Sequence, residues 1–97
     1  MKLKKNYELK TEVWRWPGDM GWFFVTLDKS VSKDIRAVYT RGFVKIIARI
    51  GKTSWSTSLF PHKESDAYLL AIKKSVREKE GIREGEIIKV SFSLVLE

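Results

Sequence analysis

Cysteine is absent from the 97 residues, and only one histidine, His62, is present. The first absence excludes disulfides, thiolate metal sites and a cysteine nucleophile. The second excludes zinc sites built from several imidazoles. Proline occurs twice and glycine six times, so no Pro/Gly-rich linker or low-complexity segment divides the chain. No apolar run approaches the roughly 20 residues that a helix needs to cross a bilayer, and no signal-peptide pattern opens the sequence. These absences point to a soluble cytoplasmic domain with no metal, no cofactor and no membrane partner.

What is present suits a single core. With 43% hydrophobic and 12% aromatic residues, the chain is too apolar for intrinsic disorder and too short for two independent domains. Lysine and arginine number 19 against 12 aspartates and glutamates, a formal net charge of +7. That balance favours anionic partners, although it also serves plain solubility. The charge is mixed along the chain. Its densest basic stretches are residues 1–5, with Lys2, Lys4 and Lys5, and residues 73–79, with Lys73, Lys74, Arg77 and Lys79.

Hydrophobic periodicity places the elements. Tyr7, Leu9, Thr11 and Val13 alternate with charged residues, so residues 6–16 read as a strand. Pro17-Gly18-Asp19 is a turn signal, and residues 21–27 form a second, aromatic strand in a hairpin with the first. Val31, Ile35, Val38 and Tyr39 then share one face of a short helix over residues 28–39, capped by Asp28 or Ser30. Val44, Ile46, Ala48 and Ile50 return to period two. Gly51-Lys52 turns the chain into a strand over residues 53–60, where Trp55, Thr57 and Leu59 alternate with Ser54, Ser56 and Ser58. Residues 61–65 read as a loop and residues 66–72 as an apolar strand. A charged helix over residues 73–80 is stopped by Gly81. The last strand, residues 86–96, alternates Ile88, Val90, Phe92, Leu94 and Leu96 inward. The element order is ββαβββαβ, six strands and two helices.

Two strand–helix–strand stretches resemble each other. Phe23-Phe24-Val25-Thr26-Leu27 enters Lys29-Ser30-Val31 as Tyr68-Leu69-Leu70-Ala71-Ile72 enters Lys74-Ser75-Val76, with a period of about 45 residues. Two such units can pair about a pseudo-twofold axis and cover each other's sheet edges, as a barrel requires.

Several segments carry a family likeness. Arg15-Trp16-Pro17-Gly18, Gly21-Trp22-Phe23-Phe24-Val25 and Arg41-Gly42-Phe43 resemble the opening of a widespread prokaryotic family known only as a domain of unknown function. Residues 50–61, from Ile50-Gly51-Lys52-Thr53 to Leu59-Phe60-Pro61, look like its central signature. Residues 68–77 and 81–86 are similar to its closing motif. The family is sometimes fused to an OmpD-associated, bacteriocin-protection-like segment. The resemblance implies a mainly β fold: a single-domain, double-split β-barrel over residues 1–97, pseudo-duplicated within one chain. That architecture is similar to the dimeric AbrB- and MazE-type DNA-binding domains, here with both halves in one polypeptide, so a monomer suffices. A shared fold is not a shared function.

Site candidates follow from residue chemistry. Trp14 and Trp16 share a strand face, and with Arg15, Arg41 and Lys45 nearby they suggest an aromatic, cationic surface of the kind that stacks bases and holds phosphates. Lys73, Lys74 and Arg77 are the other anion-binding candidates, Lys73 and Arg77 standing i, i+4 on one helix face. Trp55 shares its face with Thr57 and Leu59 and reads as packed. No catalytic constellation emerges: His62 is the sole imidazole and no elbow motif surrounds a serine. Glu8 and Glu12 stand about 13 Å apart along a strand, beyond glycosidase spacing. The expectation is a non-enzymatic binding domain, with nucleic acid favoured. The alternatives are a protein partner on the Trp14–Trp16 face and a small-ligand pocket around Trp55, Ser56 and His62.

Overall fold

A computed structural model describes residues 6–18, 21–39 and 42–95. Along the chain come β1 (Asn6–Glu12), β2 (Trp14–Arg15), β3 (Phe23–Thr26), α1 (Lys29–Val38), β4 (Val44–Ile50), β5 (Thr53–His62), β6 (Ala67–Ala71), α2 (Lys74–Glu80) and β7 (Ile87–Leu94). All strands join one antiparallel sheet in the order β1-β7-β4-β5-β6-β3-β2.

The two ends of that order are neighbours in sequence, separated by Val13 alone. The sheet therefore curls until its edges meet. Val13 carries the β1–β7 pairing past Glu12: its N–H donates to Glu86 O at 2.8 Å and its carbonyl accepts from Gly85 N–H at 2.8 Å. Thr11 Oγ1 donates to Thr26 O across the gap at 3.2 Å. The first expected strand is thus two, and the count is seven rather than six. Period two reports which face a residue takes but not which neighbour its strand pairs with. Residues 6–12 pair with β7, whereas Trp14 and Arg15 pair with β3.

β5 changes partners in the same way. Its first part pairs with β4 and its last with β6, and Leu59 faces both Val44 and Leu70. The expected loop begins two residues late because Pro61 and His62 pair with Tyr68 and Ala67. Beyond Leu59 the strand has a partner on one side only, where proline is tolerated.

The internal repeat is visible in the pairing. β3 lies antiparallel to β6, and β4 to β7, so each of these strands meets its counterpart, as a twofold axis demands. The relation reaches one strand further than the sequence likeness. The β1–β2 stretch bridges β7 and β3 as β5 bridges β4 and β6. The unit is ββαβ, used twice.

The alternating residues fill the interior. Val44, Ile46, Ala48 and Ile50 are all buried, as are Leu9, Val13, Trp55, Leu59, Leu70, Val90, Phe92 and Leu94. Fully burying each large aliphatic side chain contributes roughly 1.5–3 kcal/mol. α1 departs from the expected face. Ser32, not Val38, joins Ile35 inside, and Val38 is exposed. The cause is a backbone donor: Tyr68 N–H of β6 donates to Ser32 Oγ at 3.0 Å, and an unpaired N–H there would be costly. Asp28 takes the N-cap position, but its side chain makes no cap bond. α2 ends at Gly81 in the left-handed conformation. Its Glu80 accepts from Thr53 Oγ1 at 2.6 Å, tying the helix to the β4–β5 turn. Gly51 in that turn has φ +59°, and a Cβ there would collide with the Glu80 carboxylate.

Candidate functional site

β5 shows how the outer surface is divided. Its outward row runs Ser54, Ser56, Ser58, Phe60, His62, one period-two series that changes chemistry at residue 60. The serine part faces Arg49, Ile47 and Lys45 of β4 across the pairs Ser54–Arg49, Ser56–Ile47 and Ser58–Lys45. Ser91 and Ser93 of β7 flank the same β4 residues on the other side.

The aromatic part is built around Phe24. β3 pairs Phe24 with Trp14 on β2 and with Ala71 on β6, and Phe60 pairs with Leu69. Ring centroids of Trp14, Trp16 and Trp22 lie 5.3, 5.8 and 6.1 Å from Phe24. Phe60 stands 6.2 Å from Phe24 and 5.0 Å from Phe43. Trp14 is held by its indole N–H, which donates to Thr26 Oγ1 at 2.9 Å. The Trp16 backbone N–H donates to Trp22 O at 2.8 Å, which sets the two indoles around Phe24. Between them opens a cleft of about 340 Å³, floored by Leu69 and walled by Trp16, Trp22, Phe60, Pro61 and His62. Trp16 is 39% exposed, Trp22 46% and Phe43 68%. Exposed aromatic surface gathered in one patch is unusual for a lone domain and marks a binding surface.

Basic residues border the cleft at two places. Trp22 is also a wall of a second depression, about 180 Å³, which Phe23, Lys73, Lys74 and Arg77 line. Arg77 is partly committed to structure: its guanidinium lies 3.9 Å over the Phe23 ring and its Nε donates to Ile72 O at 3.2 Å. Arg15 pairs with Phe23 across β2 and β3. At the other end, Pro61 and His62 are shared with a third depression of about 220 Å³, which also carries Arg36, Lys63 and Asp66. Arg36 Nη1 donates to Asp66 Oδ1 at 2.9 Å, and His62 Nδ1 and Ser65 Oγ are hydrogen bonded at 2.7 Å.

Of the basic candidates in the sequence, Lys73, Lys74 and Arg77 come together, whereas Arg15, paired with Phe23, is on the strand face opposite Trp14 and Phe24. Lys45 stands across from Ser58, on the serine side of the boundary, and Arg41 lies outside the described residues, as do Lys2, Lys4, Lys5 and Leu96. Trp14 and Trp16 share the aromatic face with His62, at centroid distances of 6.3 and 5.9 Å. The grouping of Trp55, Ser56 and His62 is not assembled. Trp55 is buried in the core while Ser56 faces outward. His62 is six residues beyond Ser56, about 20 Å along a strand, so these two do not pair; the serine hydrogen bonded to His62 is Ser65. Sequence reasoning passed over Trp22, Phe24, Phe43 and Phe60 as site residues. The alternation of Trp22 with Phe24, and the continuation of the serine row into Phe60 and His62, were the signals available. Among the described residues, no three histidine, aspartate or glutamate side chains gather as metal ligands, and no helix is long and apolar enough to cross a membrane.

Comparison with known families matches residues 10–92 to the model of a domain of unknown function, DUF1905. No curated protein matches the chain.

Proposed function

The chain belongs to the DUF1905 family, and from that premise we propose that it is a cytoplasmic, non-enzymatic domain whose aromatic cleft binds single-stranded nucleic acid. One observation carries the reading: Trp22 is a wall of both the apolar cleft and the depression that presents Lys73 and Lys74. A base seated against Trp22 or Trp16 has its phosphate beside two lysines. Stacking platforms beside cationic grooves are how sequence-tolerant single-strand binders work, each base–aromatic contact being worth about 1–3 kcal/mol. Arg77, which shares the lysines' depression, braces Phe23.

Fluorescence anisotropy with labelled single- and double-stranded DNA and RNA at about 50 and 200 mM salt tests this. Single strands are expected to bind more tightly than duplexes, with an affinity that falls steeply with salt. Binding weaker than roughly 10⁻⁴ M at the lower salt overturns the reading. The aromatic face would then be assigned to a protein partner, whose binding tolerates salt and is lost on Trp16→Ala.

A further inference from the structure

β6 acts as a ruler between two cationic ends. The aromatic cleft has Leu69, in the middle of β6, as its floor. Past one end of β6 come Lys73 and Lys74, in the depression shared through Trp22. Before its other end come Lys63 and Asp66, in the depression shared through Pro61 and His62. The three hollows thus share walls in series and define a path: basic, aromatic, basic. Ala67 to Lys73 is six residue steps of extended chain, and Lys73 itself is extended at φ −70°, ψ 157°. At about 3.3 Å per step the path is roughly 20 Å long. A strand with stacked bases advances about 3.4 Å per nucleotide, so about six stacked nucleotides span it.

We propose that this path binds a single strand of about four to six nucleotides, with bases in the cleft and phosphates at both ends, rather than a mononucleotide or a duplex. This rests on the nucleic-acid reading above and adds a length and a second anchor. A short oligomer reaches only the Lys73–Lys74 end. A longer one also reaches the end with Lys63 and Arg36. At that end Asp66 competes for Arg36, with which it is paired at 2.9 Å. Asp66 has φ +52°, a left-handed conformation that asparagine tolerates as well as aspartate. Asp66→Asn therefore removes the competing carboxylate and leaves the turn in place.

The test is a length series of oligothymidylates, from dinucleotide through tetramer, hexamer and octamer to dodecamer, measured with the whole chain and two variants. Affinity is expected to rise steeply up to the hexamer and flatten beyond it. Lys63→Glu is expected to weaken the octamer by about five- to tenfold while changing the dinucleotide by less than about twofold. It also lowers the salt slope of the octamer by about 0.7, the value of one single-strand phosphate contact. Asp66→Asn is expected to tighten the octamer by a few-fold (on the order of one added phosphate contact) and leave the dinucleotide unchanged. Equal affinity for dinucleotide and octamer, with neither variant discriminating them, overturns the two-ended path while the cleft reading stands. Failure of every length to bind wild type overturns the cleft reading itself.

Discussion

The two outer faces of this sheet share a backbone and differ in almost everything else. β5 crosses from one to the other without a break in register, its outward residues being three serines, then Phe60 and His62. On the serine face, short hydroxyl side chains lie among Lys45, Ile47 and Arg49, as on any solvated strand surface. On the aromatic face, three tryptophans and three phenylalanines cluster, two of each line a cleft, and several of them stay exposed. The fold requires neither composition outside. Burial on the inner face is satisfied equally under both halves, by Trp55 beneath one and Leu59 and Leu70 beneath the other. An exposed aromatic cluster that the core does not need is therefore the part of the molecule to which a binding role is assigned.

The comparison breaks entirely if β5 loses its pivot. Leu59 has no exposed surface and pairs with both Val44 and Leu70. Leu59→Ala is expected to cost about 2–5 kcal/mol, read as a lower urea midpoint, with both faces lost together. A more selective break lies under the aromatic half. Ser32→Ala removes the acceptor for Tyr68 N–H and is expected to cost about 1–3 kcal/mol. Amide exchange in β6 should accelerate more than in β4, because only β6 depends on that hydroxyl.

Binding sharpens the contrast. Trp22→Ala is expected to weaken single-strand binding by about 1–3 kcal/mol, with little change in thermal midpoint because Trp22 is nearly half exposed. Ser56→Ala, on the other face, should leave anisotropy titrations unchanged. Charge follows the same division. Lys73→Glu with Lys74→Glu should reduce the salt slope by about 1.4, two contacts at roughly 0.7 each. Lys10→Glu, which places a carboxylate opposite Lys89 in the β1–β7 pair, should not. The smallest effect is on stability at the Arg36–Asp66 pair. Its side chains are 46% and 70% exposed, so Asp66→Asn should move the unfolding free energy by less than about 1 kcal/mol.

Much of the fold was legible in the residue pattern. The alternation of Val44, Ile46, Ala48 and Ile50 and of Val90, Phe92 and Leu94 named the inner face correctly, because burial on one side of a strand imposes period two. Gly81 announced the end of α2, because an αL cap favours glycine. Ser32 was not legible as a core residue. Its burial answers the N–H of Tyr68, 36 positions away, and no local periodicity encodes such a partner. The site was half legible. Trp14 and Trp16 were placed on one face by spacing alone. Their meeting with Phe24, Phe60 and His62 depends on which strands pair, as does the gathering of Trp22 with Lys73 and Lys74.

The sequence by itself determined the two helices and most strands, the inward faces of the strands, the duplication of a strand–helix–strand unit and an excess of positive charge, because these follow from nearest-neighbour periodicity and composition. Tertiary structure alone decided that β1 and β2 part at Val13 to meet opposite edges of the sheet, and that β5 divides between β4 and β6. Those choices are long-range hydrogen-bond pairings. They set the tryptophans around Phe24 and bring cationic depressions to both ends of one cleft.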